Sequence, residues 1–263
     1  MKKRITPGCI LITGAGGDIG SALALSYAKP GNILALTDID TLRLKKISDL
    51  CSSAGANVIS AEIDVTQSRM LADWIIDVDN QYPIDLVIAN AGIVSSIGNK
   101  SEPESWKRIK KVFDTNLYGV LATVTPLINR MQERKKGQIA IMSSLSAYRG
   151  LPLIPAYSAS KASLKVYGEA LRGALAKDNI GVSVICPGFI KSLMSDQFPG
   201  PKPFMLSAEQ AANIIVSSLS KNQARVSFPF PLNLGAWFYS IIPAGLSDLL
   251  LNFSAFKKLK QLD

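Results

Sequence analysis

Short runs of apolar residues alternate with longer stretches of helical spacing along most of the chain. The runs are almost continuous in Val, Ile, Leu and Ala, without the polar residue at every second position that marks a half-exposed strand. We therefore predict strands that are buried on both faces, as in a parallel sheet. The predicted strands span residues 9–13, 32–37, 57–64, 85–90, 138–144 and 181–186.

The stretches between these runs predict helices, because their apolar residues recur every three to four positions. The helices are expected at about 19–29, 42–55, 103–131, 155–177 and 207–220, with one more through Trp74. Regular alternation of strands and helices in 263 residues predicts an α/β fold with a doubly wound, mostly parallel sheet. Because no linker or internal repeat precedes residue 190, we expect one domain over residues 1–263.

The composition restricts the chemistry, since the chain contains no histidine and only three cysteines. Cys9, Cys51 and Cys186 lie far apart and form no Cys-x-x-Cys pair, so we predict buried free thiols, no metal site and no disulfide framework. Without histidine, proton transfer would have to use tyrosine, lysine, a carboxylate or cysteine.

The net charge of +9 comes from scattered basic residues rather than from one block. We interpret them mainly as solvated helix faces, and no platform of aromatic and basic residues suggests nucleic-acid binding. The apolar run after the basic first residues is about five residues long, shorter than the roughly seven to fifteen of a secretory signal. We therefore expect a first strand there and a cytoplasmic protein.

A glycine-rich segment, TGAGGDIG (13–20), separates the first predicted strand from the first helix. Glycines at such a turn let the backbone approach a pyrophosphate, which the positive end of the helix then stabilises. A tight turn without a ligand is the alternative interpretation. The residues expected to contact a dinucleotide here are Gly14, Gly16, Gly17, Asp18, Ile19 and Gly20.

Asp38 ends the second predicted strand, eighteen residues after Gly20, where an acidic group would meet the ribose hydroxyls of a dinucleotide. A carboxylate at this point would repel the 2′-phosphate of NADP, so we expect NAD to be preferred. NADP stays an alternative, because Arg43 follows about one helical turn later. Asp38 could instead cap the second helix.

Tyr157 and Lys161 stand four residues apart in YSASK (157–161), which is one helical turn and places both on one helix face. The pKa of a free tyrosine is about 10, and a nearby ammonium group would lower it. The sequence therefore predicts a tyrosine acid/base tuned by lysine, although an ordinary exposed helix pair would have the same spacing.

Taken together, these motifs resemble the short-chain dehydrogenase/reductase family over about residues 8–192. The glycine loop is similar to the family's T-G-x-x-x-G-x-G, and Ser144 lies at the family's spacing of thirteen residues before Tyr157. Asp18 and Ala89 depart from the pattern, since the family has a glycine and an asparagine there. We expect Asp18 to cap the first helix, with its carboxylate turned away from the pyrophosphate. The other residues expected at the coenzyme are Asp64, Val65, Asn90, Ala91, Gly92, Pro187, Gly188, Ile190 and Ser192.

The resemblance implies a seven-stranded Rossmann fold and an NAD(P)-dependent oxidoreductase that acts on a carbonyl or a secondary alcohol. Tyr157 would exchange a proton with the substrate oxygen, to which Ser144 would also hydrogen-bond. Lys161 would hold the nicotinamide ribose, and Asn116 would hold a water that links Lys161 to solvent. A homo-oligomer, either a dimer or a tetramer, is also expected.

The C-terminal part of the chain is not settled by the resemblance. Residues 189–207 are expected to form a flexible lid over the coenzyme. No charged residue lies between Val226 and Ser247, but prolines interrupt this stretch and argue against a helix that spans a membrane. For residues 226–263 we keep three alternatives: a core or dimer-interface element, a lining for an apolar substrate, and a peripheral anchor at a membrane surface.

The leading hypothesis is an oxidoreductase for an apolar, lipid-like small molecule. A 3-oxoacyl carrier-protein reductase is an alternative, since the basic surface would suit an acidic carrier protein. A non-catalytic, membrane-associated protein that senses nucleotides is another alternative, although the complete set of Ser144, Tyr157 and Lys161 argues against it.

Overall fold

A computed structural model describes residues 8–95, 103–198, 202–243 and 245–246 of the chain. Within these residues, seven strands pair in parallel into one sheet. They are β1 (Cys9–Thr13), β2 (Ile33–Asp38), β3 (Asn57–Glu62), β4 (Leu86–Ala89), β5 (Gly137–Met142), β6 (Ile180–Pro187) and β7 (Arg225–Phe228). Their spatial order, β3-β2-β1-β4-β5-β6-β7, confirms the predicted doubly wound parallel sheet.

Helices connect the strands and cover both faces of the sheet. In the part of the chain that the structure describes they are α1 (Asp18–Tyr27), α2 (Thr41–Ser53), α3 (Ser68–Gln81), α4 (Trp106–Phe113), α5 (Gly119–Glu133), α6 (Pro155–Leu175), α7 (Leu193–Asp196), α8 (Ala208–Ser220) and α9 (Leu232–Ile241). Short 3₁₀ turns lie at Leu145–Ala147 and Ala176–Asp178. Among these described helices, none combines the length and the apolar character needed to cross a bilayer.

Successive residues of β1 point to opposite faces of the sheet, and each face has its own apolar core. Ile10 and Ile12 pack in the core that includes residues of α1, α2 and α8. Leu11 packs in the core on the side of α3, α5 and α6. All three side chains are fully buried, which explains why the strand sequence is apolar at every position.

The order of the strands reverses at β1, which lies between β2 and β4. A crevice therefore opens beyond the carboxyl ends of β1 and β4, where the chain leaves toward opposite faces. Thr13 joins the two sides of this crevice, because its Oγ1 accepts hydrogen bonds from the backbone N–H groups of Asn90 and Ala91, both at 3.2 Å. The Asn90 amide in turn donates to the carbonyl oxygens of Thr13 and Gly14 at 3.1 Å.

The structure differs from the predicted elements at several places. Helices α7 and α9 have no counterpart among the predicted helices. The helix expected over 103–131 is divided into α4 and α5 by a π-helical turn at Asp114–Tyr118, where the Gly119 N–H reaches back five residues to the Asp114 carbonyl. Strand β7 has no counterpart among the predicted strands. Its buried Val226 and Phe228 open the stretch that we assigned as one apolar C-terminal segment, so the first residues of that segment belong to the sheet.

Some predictions fall outside the described residues. These are the predictions for the chain start at 1–7, for residues 199–201 of the predicted lid, and for residues 244 and 247–263 of the C-terminal segment. Cys9, Cys51 and Cys186 are all buried and free, as predicted.

Candidate active site

A cavity of about 880 Å³ lies beyond the carboxyl ends of the strands. It is lined by the glycine loop, by the turns that follow β2, β4, β5 and β6, and by parts of α6, α7 and α9. All the predicted site residues except Asn116 line this one cavity: Gly14, Gly16, Gly17, Asp18, Ile19, Gly20, Asp38, Asp64, Val65, Asn90, Ala91, Gly92, Ser144, Tyr157, Lys161, Pro187, Gly188, Ile190 and Ser192.

The glycines of the cavity floor stand where no side chain fits. Gly14 has a left-handed φ of +66°, and a Cβ there would lie 2.8 Å from the Cα of Ala91. A Cβ on Gly20 would lie 2.0 Å from the Gly14 carbonyl oxygen. The loop therefore keeps bare backbone beside the first turn of α1, which fits the pyrophosphate of a dinucleotide.

Asp18 does not cap α1, so that expectation is wrong. The capping residue is Gly17, which has no side-chain hydrogen bond, and Asp18 is the first helical residue. The exposed Asp18 carboxylate instead accepts a hydrogen bond from the backbone N–H of Leu193, at the start of α7, at 3.2 Å. Asp18 thus links the glycine loop to the segment predicted to be a lid.

Asp38 faces the glycine loop rather than the second helix. Its Oδ2 accepts from the Gly16 N–H at 2.8 Å, and its Oδ1 accepts from the Asp40 N–H at 2.9 Å. The cap of α2 is Asp40, whose carboxylate accepts from the Arg43 N–H, so the capping alternative for Asp38 is wrong. Arg43 also lines the cavity, with Nε 3.3 Å from Asp40 Oδ2, so this end of the cavity contains groups of both charges.

Asp64 and Val65 follow β3 and line the same end of the cavity. The Asp64 carboxylate accepts from both the backbone N–H and the hydroxyl of Thr66, at 2.9 and 2.8 Å. Val65 is buried and lies so close to the end of the π-helical turn that a Cβ on Gly119 would approach its Cγ2 to 2.6 Å. The structure therefore fixes both residues by local contacts.

Ser144 lies just beyond β5, with its hydroxyl beside Tyr157 in the first turn of α6. Its Oγ accepts a hydrogen bond from the Ser146 N–H at 3.1 Å, which leaves the hydroxyl proton to be donated elsewhere. Burial raises the pKa of Tyr157, and the hydrogen bond with Ser144 opposes that shift only in part. The expected lowering of this pKa is thus wrong in the structure, because the loss of water around the phenol outweighs the hydrogen bond with Ser144.

Lys161 is only 3% exposed, and its Nζ donates to the Met142 carbonyl oxygen at 2.8 Å. The ammonium lies 5.7 Å from the centre of the Tyr157 ring. Burial lowers the pKa of Lys161 from 10.5 to about 8, since the charged form has lost most of its water. A Cβ on Gly92 would lie 3.3 Å from Nζ, so the glycine keeps one side of the ammonium accessible.

Asn116 is fully buried in the π-helical turn and lies behind Gly92 rather than in the cavity wall. Its Oδ1 accepts from the Ile93 N–H at 2.8 Å, and its Nδ2 donates to the Ile93 carbonyl at 2.9 Å. The same Nδ2 also contacts Ser160 Oγ at 3.1 Å, one residue before Lys161. Asn116 therefore fixes the turn after β4 against α6, and its role in holding a water stays a prediction.

Glu104 lies outside the cavity wall but supports the site, and the sequence does not reveal this role. The residue at the cap position of α6, Ile154, has no side chain that can accept a hydrogen bond. Glu104 Oε2 accepts from the Ala156 N–H at 2.9 Å in its place, while its Oε1 bonds with the Ser95 hydroxyl. The carboxylate thus ties the start of the helix that carries Tyr157 to the turn after β4, and it lies at the positive helix end.

The part of the cavity beyond Ser144 and Tyr157 is mostly apolar. Most of its lining comes from residues 189–207, which we expected to form a lid, and from residues 226–263, for which a substrate lining was one alternative. Leu145, Leu151 and Ile154 were not expected there. The 3₁₀ turn, the segment before α6, the segment around α7 and one face of α9 all contribute to it. The lining residues are Leu145, Leu151, Ile154, Phe189, Leu193, Met194, Phe198, Pro203, Leu232, Gly235, Ala236 and Tyr239.

A family model described as "short chain dehydrogenase" matches residues 8–201, which is more than half of the chain. This chain is a short-chain dehydrogenase. It is therefore an oxidoreductase of the class that interconverts CH–OH and C=O groups with NAD or NADP. The glycine cradle and the cavity described above fit such a coenzyme.

Relatives of this short-chain dehydrogenase are also named as oxidoreductases. An "Uncharacterized oxidoreductase" of Myxococcus xanthus is 34% identical over 239 residues, which cover 90% of this chain and 94% of the relative. A "Ketoacyl reductase HetN" of Nostoc is 28% identical over 227 residues, which cover 84% and 78%.

Solved structures show the same fold at lower identity. A short-chain dehydrogenase/reductase from Burkholderia phymatum in complex with NAD has a TM-score of 0.79 at 22% identity, over 88% of this chain and 92% of that chain. A short-chain dehydrogenase from Sphingobium yanoikuyae in complex with NADPH has a TM-score of 0.78 at 20% identity, over 93% and 95%.

Lys161 of this short-chain dehydrogenase should affect how stability depends on pH. Its pKa is about 8 in the fold and 10.5 ordinarily, so between these values the unfolded chain binds more protons than the folded chain. The contribution of this side chain to the free energy of unfolding should be constant below pH 8 and should rise above it. The test is to measure the free energy of unfolding by urea for the wild type and for Lys161→Met at several pH values from about 7 to about 9.5. This range stays below the pKa of ordinary tyrosines. A constant difference between the two proteins would contradict the lowered pKa.

Loss of the Glu104 carboxylate should slow turnover, because the Ala156 N–H loses its acceptor and the start of α6 can shift. We expect Glu104→Ala to lower kcat roughly tenfold, the scale of a small misplacement of reacting groups. Glu104→Gln keeps an acceptor oxygen and should retain most of the activity. Glu209→Ala, in the exposed first turn of α8, serves as the control. If Glu104→Ala has the wild-type kcat and pH profile, the positioning role is wrong.

Proposed function

We propose that this short-chain dehydrogenase interconverts a carbonyl and a secondary alcohol on an apolar, lipid-like small molecule, with Tyr157 as the general acid and base. The observation that carries the proposal is the convergence of Ser144, Tyr157 and Lys161 in a cavity whose remaining wall is largely apolar. These groups can hold and protonate one oxygen, while the wall offers burial to the rest of the substrate.

The coenzyme, when bound, supplies or accepts the hydride. The side chains of the protein act on the substrate oxygen. The Ser144 hydroxyl, oriented by the Ser146 N–H, donates a hydrogen bond to that oxygen. Tyr157, whose raised pKa keeps it a phenol at neutral pH, donates the proton when a carbonyl is reduced. Alcohol oxidation needs the phenolate instead, so it should become faster as the pH rises.

Lys161 is proposed to hold the nicotinamide ribose and to favour negative charge on the phenol oxygen during proton transfer. Its Nζ already donates to the Met142 carbonyl and lies beside Gly92, on the cavity side of α6. Because the pKa of Lys161 is about 8, the side chain is largely charged at neutral pH. Its ammonium therefore has donors left for a ribose hydroxyl.

NAD is the proposed preferred coenzyme, with NADP as the alternative. The Asp38 carboxylate is held against the glycine loop by the Gly16 N–H, where it would accept from ribose hydroxyls and repel a 2′-phosphate. Arg43 favours a 2′-phosphate, but its guanidinium is next to the Asp40 carboxylate. Solved neighbours of the same fold bind NAD or NADPH, so the fold allows either.

A 3-oxoacyl substrate is the second candidate, because one relative is named a ketoacyl reductase. The net charge of +9 would suit an acidic carrier protein. Assays with a free apolar ketone and with a carrier-bound 3-oxoacyl group would distinguish the two substrates.

The protein is also proposed to be cytoplasmic and to form a homo-oligomer. The exposed Trp106, Tyr118 and Val166 are candidate contacts between its subunits.

Tyr157→Phe should lower kcat by at least ~100-fold, the usual scale of general acid–base catalysis, with binding of the reduced coenzyme preserved. Tyr167→Phe is a matched control, since it removes a hydroxyl from the same helix outside the cavity. Absorbance at the nicotinamide band with a series of ketones of rising chain length is the measurement. Near-normal turnover in Tyr157→Phe would refute the assignment of the acid.

The wild-type protein should bind NADH more tightly than NADPH in a fluorescence titration. Asp38→Asn removes the negative charge and should shift the ratio of the two dissociation constants toward NADPH by about tenfold, as expected for one close charge pair. Adding Arg43→Ala to that variant should reverse part of the shift. Tighter NADPH binding by the wild type would show that Arg43 outweighs Asp38.

A further inference from the structure

The ten-residue helix α9 has two different faces. Leu232, Gly235, Ala236 and Tyr239 recur at helical spacing and line the active-site cavity. The outer face carries four large apolar residues, also at helical spacing, that are 51–59% exposed: Leu234, Trp237, Phe238 and Ile241. We call these four residues the α9 outer face.

The polar side chains of α9 add little polar surface to the α9 outer face. Two polar side chains of α9 bond to backbone carbonyl groups. Asn233 donates to the Ser227 carbonyl at 3.0 Å, and Ser240 donates to the Trp237 carbonyl at 2.6 Å. The sequence from 226 to 247 also contains no charged residue. A helix that is apolar on all sides normally has a covering surface.

Exposed apolar residues also lie where α7 borders the cavity. Leu193 and Met194 of α7 line the cavity and remain 54% and 37% exposed. Phe204 and Met205, a few residues further along, are exposed as well. The cavity thus has large apolar side chains in contact with solvent on both the α7 side and the α9 side.

We propose that the α9 outer face docks on the surface of a membrane that contains anionic phospholipids. Trp and Phe with Leu and Ile on one helical stripe are typical of helices that lie in the interface between water and lipid. Ten residues are too few to cross a bilayer, so α9 would lie along the surface.

The charge of the chain favours anionic lipid over a neutral surface. The whole sequence has a net charge of +9, Lys191 beside α7 is exposed, and the sequence after α9 contains Lys257, Lys258 and Lys260. Lysines near an anionic leaflet are attracted to it within a Debye length. Charge complementarity therefore points to an anionic lipid surface as the partner of the α9 outer face, while contacts between subunits are proposed elsewhere, at Trp106, Tyr118 and Val166.

Docking in this way would place the inner face of α9, and with it one wall of the cavity, next to the lipid. The proposal concerns binding and is tested without substrate, so it can fail while the proposed reaction stands. An apolar substrate dissolved in the membrane would then have a short path to the cavity, a consequence that rests on the proposed function.

Sedimentation with vesicles of phosphatidylcholine, with and without phosphatidylglycerol, tests the proposal on the full chain. We expect the protein to pellet with the vesicles that contain phosphatidylglycerol and to be released by high salt. Trp237→Ser with Phe238→Ser should lower the partition coefficient at least ~10-fold, since two half-exposed aromatic rings are lost. Trp106→Ser, which removes a more exposed indole from α4, should bind as the wild type does.

The milder change Ile241→Glu, at the exposed end of α9, replaces the double variant if that variant fails to bind NADH and is therefore misfolded. Its partition coefficient should fall as well. Wild-type protein that stays in the supernatant with both vesicles would overturn the proposal. Equal binding by all variants would overturn it too. If light scattering shows a dimer that dissociates on Trp237→Ser with Phe238→Ser, the face is an interface between copies and the proposal is wrong.

Discussion

A parallel sheet that is buried on both faces can offer polar chemistry only beyond the ends of its strands. In this chain every residue of β1 is buried, and helices cover both faces. All seven described strands run in the same direction, so their carboxyl ends share one edge. The reversal of strand order at β1 separates the turns that follow β1 and β4, and the cavity forms in that gap.

The cavity depends on contacts between segments that are distant in sequence. Thr13 connects the turns after β1 and β4, Asn116 connects the turn after β4 to α6, and Glu104 caps α6 from outside the helix. These bonds converge on the helix that carries Tyr157 and Lys161. A rigid helix start matters here, because proton transfer needs the phenol within hydrogen-bonding distance of the substrate oxygen.

The sequence was sufficient for the features that depend on local spacing. Continuous apolar runs identified six of the seven described strands, and the positions of Gly14, Gly20, Tyr157 and Lys161 followed from motifs within one turn or one helix. Strand β7 was not predicted, because it is a four-residue run at the start of a longer apolar stretch.

The errors concern interactions that tertiary structure decides. The partner of Asp18 is the N–H of Leu193, 175 residues away, which no local capping rule can find. Glu104 reaches a helix 52 residues later, and no short pattern marks it. The direction of the Tyr157 pKa shift was wrong because the sequence shows the nearby lysine but not how much water the phenol loses in the fold.

The buried ammonium of Lys161 has a consequence for calorimetry and other proton-counting methods. Most proteins carry histidines that release or bind protons near neutral pH and obscure the signal from the site of interest. This chain has none, and the pKa of Lys161, at about 8, falls in a range that carboxylates and ordinary lysines leave empty. Burial raises the pKa of all three cysteines, which would otherwise titrate in this range. Among the described residues, a proton that is taken up or released near pH 8 when the coenzyme binds is therefore expected to come mainly from Lys161.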